Sequence, residues 1–221
     1  MISVAEATAR LLSLVDVLPS EQVPLRAASG RIMAGPLTAQ HDQPPFPASA
    51  MDGYAIAGNA TAGDMFRVIG TSAAGHPFGR PVAAGVAVRI FTGAPLPDGA
   101  TRVVIQEDIA RNGDEIRITT DPGPATHIRP EAGDFAKGMS WHTKTPLGSR
   151  DVTLLAAMGH NTVPVVRKPV VAFIMTGDEL RMPGETLNPG QITASNGFGL
   201  AAMVEGAGAD ARLLPITRDT V

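Results

Sequence analysis

Between Pro44 and Tyr54 the chain reads Pro-Pro-Phe-Pro-Ala-Ser-Ala-Met-Asp-Gly-Tyr, a stretch through which no regular helix can run. Pro44, Pro45 and Pro47 fix φ, remove backbone donors and push the residues before them into extended conformations, which makes a stiff arm. The arm ends at Asp52-Gly53, where glycine accepts a left-handed turn and the aspartate can bond its own backbone. A carboxylate is thereby presented at a defined bend. By itself an Asp-Gly pair is an ordinary Asx-turn between strands, so the arm alone assigns no chemistry.

Composition closes several routes. Cysteine is absent, which removes disulfides, thiolate metal sites and a cysteine nucleophile. The five histidines, His41, His76, His127, His142 and His160, have no metal-ligand spacing, so any metal would be a hard cation on oxygen ligands. A formal net charge of -3 gives no footprint for nucleic acid or an anionic membrane, and 4% aromatic residues give no base-stacking platform. No secretory leader and no membrane-spanning apolar run are recognisable, and a cytoplasmic location is expected.

In chain order, Ser3 and Glu6 form a capping-box pattern, and Val4, Ala7, Leu11, Leu14, Val15 and Leu18 recur at helical spacing until Pro19. Residues 21–40 suggest a short helix and then an extended segment. From 46 to 134 the texture is β: Phe66–Ile69, Val86–Phe91 and Arg102–Gln106 are β-branched runs fenced by Gly or Pro. Arg111-Asn112-Gly113-Asp114 predicts a hairpin with Ile116 and Ile118 facing one way, and the regular turns predict a small barrel or sandwich. Leu154–Gly159 and Thr162–Arg167 predict a short helix and a strand. After Lys168-Pro169, Val170–Met175 reads as a strand buried on both faces of a parallel sheet, residues 197–207 as a helix with Leu200, Met203 and Val204 inward, and Arg212–Ile216 as a second strand.

Two strand ends carry polar groups. Thr92-Gly93 follows the Val88–Phe91 run; it is either a plain turn or a place where a hydroxyl and free N–H groups meet an anion. Thr176-Gly177-Asp178-Glu179 follows Val170–Met175, where ligands of parallel sheets bind, although Thr176 with Glu179 also fits a capping box. Arg129 and Asp134 are either a loop ion pair or part of a site.

Ser-Ala-Met-Asp-Gly-Tyr-Ala at 49–55, Arg-Ile-Phe-Thr-Gly-Ala-Pro-Leu-Pro at 89–97 and Thr-Gly-Asp-Glu-Leu at 176–180 occur in this order. With them the chain resembles the molybdopterin molybdenumtransferases, the MoeA and gephyrin E-domain family, from its first helix to its last residue. The resemblance implies catalytic roles for Asp52, Thr92 and Glu179, substrate contacts from Arg129, Asp134, Asp178, Ser195, Asn196 and Asp219, and Mg²⁺ on Glu179 and Asp219. It implies insertion of molybdenum from molybdate into adenylylated molybdopterin with release of AMP. A homodimer is implied, with Asp52 and Thr92 of one subunit facing Glu179 of the other. Molybdopterin adenylyltransferase and molybdoenzyme acceptors are the implied pathway partners. A gephyrin-like, non-enzymatic module binding partner peptides at the dimer interface is the alternative, with the Pro-rich arm as a docking segment.

The expected fold is multidomain, with mostly β and α+β modules. Residues 1–45 plus 135–167 would form an elongated linking domain, 46–134 an inserted β-barrel-like domain, and 168–221 the start of a truncated three-layer α/β molybdopterin-binding domain, leaving the piece itself inactive. Two positions depart from the family pattern. Ala132-Gly133-Asp134 stands where relatives have Gly-Glu-Asp, and Thr193-Ala194-Ser195-Asn196 where they have Tyr-Asp-Ser-Asn or a close variant.

Overall fold

A computed structural model describes residues 2–219. It divides into two compact units: one takes the chain through Leu37, His142–Ala156 and everything from His160 onward, and the other takes Thr38–Trp141 with Ala157–Gly159.

The second unit is built on a six-stranded sheet in the order Arg102–Ile105, Gly53–Ile56, Val86–Ile90, Met65–Ser72, Glu115–Ile118, Ile109–Asn112. Its pairings are antiparallel except Met65–Ser72 with Val86–Ile90, which run parallel and shift register between Val68 and Thr71. Such an irregularity increases local twist and curls the sheet. Both faces are covered. Tyr54, Ile56, Phe66, Ala87, Val104, Ile116 and Ile118 pack on one, and Ala55, Val82, Val88, Ile90, Ala94 and Val103 on the other. For that reason all four residues of Gly53–Ile56 are buried and the strand shows no polar alternation. Gly53 is also needed sterically, because a Cβ there would lie 2.0 Å from the Val104 carbonyl oxygen.

The hairpin forms as its sequence predicts. Gly113, with φ +59, and Asp114 make the two-residue loop between Asn112 and Glu115, and Ile116 and Ile118 are buried while Glu115 and Arg117 are exposed.

In the first unit, the helix Val4–Leu12 starts at Ser3, whose hydroxyl accepts from the Glu6 N–H at 3.2 Å. It ends well short of Leu18. Ser13 bonds back to the Arg10 carbonyl, and no residue of the helix is buried, so nothing offsets the entropy of extending it. The expected helix after residue 21 is instead the strand Ser20–Pro24 and a single 3₁₀ turn, Leu25–Ala27. That strand pairs antiparallel with Thr162–Val166, and its one buried residue, Val23, meets Val163. The helix Ser149–Ala157 precedes the partner strand and buries Leu155.

Val170–Phe173 pairs in parallel with Asp210–Leu213, and Asn196–Gly206 forms the helix between them. Two expectations need correcting. Val170 is 50% and Ile174 62% exposed, so the run is not buried on both faces. The helix buries Gly197 and Ala201, whereas Leu200 and Met203 are exposed. The cause is close approach, since a Cβ on Gly197 would come 2.6 Å from Met175 Sδ. No helix among the described residues is long and apolar enough to cross a membrane.

Candidate functional site

In the second unit the end of Val86–Ile90 turns sharply through Phe91–Ala94, closed by the Ala94 N–H on the Phe91 carbonyl at 2.9 Å and by Gly93 at φ +79. The turn aims two donors at one oxygen. The Thr92 N–H and its hydroxyl both donate to Asp52 Oδ1, at 2.8 and 2.9 Å. The backbone bond and then the hydroxyl bond hold the Asp52 carboxyl below its ordinary range; desolvation opposes them, and the nearby Arg89 charge adds a smaller lowering effect. Thr92 therefore does meet an anion, and the anion is a carboxylate of the same unit.

The arm is held as firmly as its prolines suggest. The carbonyls of Gln43, Pro44 and Pro47 accept from Asp134, Ala132 and Leu96 N–H groups. Ala48–Ser49 pairs with Ile128–Arg129, Ala48 bridges to Pro95, and the Gly93 N–H donates to the Ser49 carbonyl at 2.8 Å. The arm, the Thr92 turn and the Arg129 segment are thus tied together through backbone. Arg129 Nη2 bonds both oxygens of Asp134, at 3.0 and 2.7 Å, so these two residues occupy each other. Both stay about half exposed, which makes the pair weakly stabilising. Ala132 has φ +56, a left-handed conformation at the position where the family pattern has glycine.

In the first unit an open cavity of about 470 Å³ lies beyond the carboxyl end of Val170–Phe173. Thr176, Glu179, Thr193, Ser195 and Asn196 supply its polar lining, and Phe173, Met175 and Leu200 belong to its apolar part. No helix follows Thr176, so the capping-box alternative for Glu179 falls away, and the strand Leu180–Arg181 pairs with Ile192–Thr193 instead. Gly177 has φ +146, and a Cβ on it would lie 2.5 Å from Glu179 Oε2. The helix Asn196–Gly206 begins without a side-chain cap bond at Ser195 and without an acid in its first turn, an end suited to an anionic oxygen. Asp178 and Asp219 are exposed and do not line this cavity.

No three His, Asp or Glu side chains gather into a metal-binding group among the described residues. Among the described residues Glu179 is the only carboxylate lining the cavity, a hard oxygen donor of the kind that holds Mg²⁺ together with substrate phosphates. Sequence reasoning missed Arg89 and Gln106 beside Asp52. The one available signal was a charged residue at an otherwise apolar strand position, Val-Arg-Ile at 88–90.

A family model described as the MoeA N-terminal region, domains I and II, matches residues 2–159. The chain belongs to the MoeA family. Its relatives include the molybdopterin molybdenumtransferase of a Nostoc species, 36% identical over 230 residues that cover 99% of this chain and 53% of the relative. Molybdopterin molybdenumtransferase 2 of Mycobacterium tuberculosis is 38% identical over 194 residues, 85% of this chain and 48% of the relative. A crystal structure of the molybdopterin biosynthesis MoeA protein of Pyrococcus horikoshii superposes with a TM-score of 0.81 at 33% identity, over 99% of this chain and 58% of that one. This MoeA chain therefore spans about half the length of the relatives it matches.

Proposed function

We propose that this MoeA-family chain serves molybdenum cofactor biosynthesis, as part of an enzyme that inserts molybdenum from molybdate into adenylylated molybdopterin and releases AMP. The names of its relatives support the reaction class. The observation that carries the residue assignment is the Asp52–Thr92 pair, an ionised carboxylate held from one side by two donors. Such a group is a fixed acceptor for a water or a ligand hydroxyl. Glu179, at the rim of a cavity open to an oxygen-rich ligand, supplies the second acid. Mg²⁺ would sit on Glu179 with phosphate oxygens and would neutralise the phosphoanhydride.

In this reading residues 46–134, which lie within the unit from Thr38 to Trp141, are an inserted β domain, and residues 168–221, with the Val170–Leu213 strand–helix–strand segment, open a three-layer α/β domain. The protein acts as a homodimer in the cytoplasm, and Asp52 and Thr92 of one subunit face Glu179 of the other. Arg129, Asp134, Asp178, Ser195, Asn196 and Asp219 remain candidate substrate contacts. The 221-residue piece is inactive alone.

The test is Asp52→Ala and Glu179→Ala in the full-length protein. Molybdenum cofactor formation should drop by about 100-fold or more in each, at unchanged circular dichroism. Wild-type turnover in both variants rejects the assignment.

A further inference from the structure

Arg89 takes no part in the function proposed above, yet it touches the neighbours of both members of the Asp52–Thr92 pair. It stands directly opposite Tyr54 across the antiparallel strands. Its guanidinium lies 5.2 Å from the Tyr54 ring centroid and 4.7 Å from that of Phe91. Nη1 donates to the Gly53 carbonyl at 3.2 Å and Nη2 to Gln106 Oε1 at 2.6 Å. Gln106 in turn donates its backbone N–H to the Asp52 carbonyl at 3.0 Å. One half-buried side chain thus holds the residue after Asp52, the residue before Thr92, and the turn that bonds Asp52 from behind.

From this geometry we propose that Arg89 is the positioning residue of the Asp52–Thr92 pair, fixing its geometry through a planar fork placed over two rings.

Only arginine can do this. The contacts are directional at two nitrogens with the guanidinium carbon over two aromatic rings, whereas a lysine ammonium is a point charge that cannot bond the Gly53 carbonyl and Gln106 at once while keeping both ring contacts. Shape and charge are therefore separable. The turn carries two acids, Glu107, which accepts from Gln106 Nε2 at 3.3 Å, and Asp108. The catalytic consequence rests on Asp52 and Thr92 being the reactive pair; the positioning itself does not.

The experiment compares Arg89→Lys, Arg89→Met and the milder Gln106→Ala. In the protein, ¹³C NMR follows the Asp52 carboxyl titration and hydrogen exchange follows the Thr92 amide. In the full-length enzyme, kcat and KM for the pterin substrate are measured. Loss of the fork should move the Asp52 titration upward, speed Thr92 exchange, and lower kcat by about 10- to 100-fold with KM held within about twofold, in Arg89→Lys as in Arg89→Met. Gln106→Ala should move all three the same way by less. A purely structural arginine would lower the melting temperature and leave the kcat of the folded fraction unchanged. Overturning results are an Asp52 titration and Thr92 exchange unchanged in Arg89→Lys, or full rescue by lysine of what methionine loses. If both NMR readouts move and kcat does not, Arg89 still positions the pair, and the catalytic reading of Asp52 is what fails.

Discussion

Asp52 receives two hydrogen bonds on one oxygen, and both come from Thr92. Its carboxyl is therefore held below the ordinary value of 3.8, and the stabilisation is complete above that value and lost as pH falls through the lowered one. Thr92→Val keeps the N–H bond, which contributes most, and deletes the hydroxyl bond. The Asp52 titration followed by NMR should rise part of the way towards 3.8 and no further. Ala132 offers an independent check, because its φ of +56 strains a side chain that glycine would relieve. Ala132→Gly should raise stability by about 1 kcal/mol in denaturant titration, and a loss of stability would contradict the left-handed assignment. At this scale the sequence was legible where the chemistry is local. Asp52-Gly53 announced a presented carboxylate, but its bond to Thr92 joins residues far apart along the chain, and no periodicity encodes that contact. Arg129 and Asp134 were readable as a pair or as a site, and the geometry shows them bonded to each other.

At the scale of elements, stability should sit where burial sits. Ile116 is fully buried in the core under the hairpin, and Ile116→Ala should cost about 2–5 kcal/mol, read as a clear fall in melting temperature. Ser3→Ala removes a helix cap worth about 1 kcal/mol locally, yet it should leave that global transition unmoved, because the helix Val4–Leu12 buries nothing. The hairpin was legible because turn chemistry and two-residue alternation agree there. The end of the first helix was not, because the apolar spacing of Leu14, Val15 and Leu18 continues while the packing that would sustain a helix does not. Strand Ser20–Pro24 was hidden for the opposite reason, since its single buried residue leaves no pattern and its partner lies far downstream. In the helix Asn196–Gly206 the large apolar residues drew attention, but a glycine and an alanine are the buried residues.

At the scale of the molecule, the candidate groups fall into two compact units: Asp52, Thr92, Arg89, Arg129 and Asp134 in one, and Glu179, Ser195 and Asn196 in the other. The motif order made the family legible, whereas the assembly of one site from two subunits is a proposal that no single chain can display. Complementation tests it most directly. Full-length Asp52→Ala and Glu179→Ala, each inactive alone, are co-expressed and the mixed dimers assayed for molybdenum cofactor formation. A site shared across the two-fold predicts recovery to about a quarter of wild-type activity, since about half of random dimers are mixed and each of those keeps one intact site. No recovery, with mixed dimers demonstrably present, would contradict the shared site.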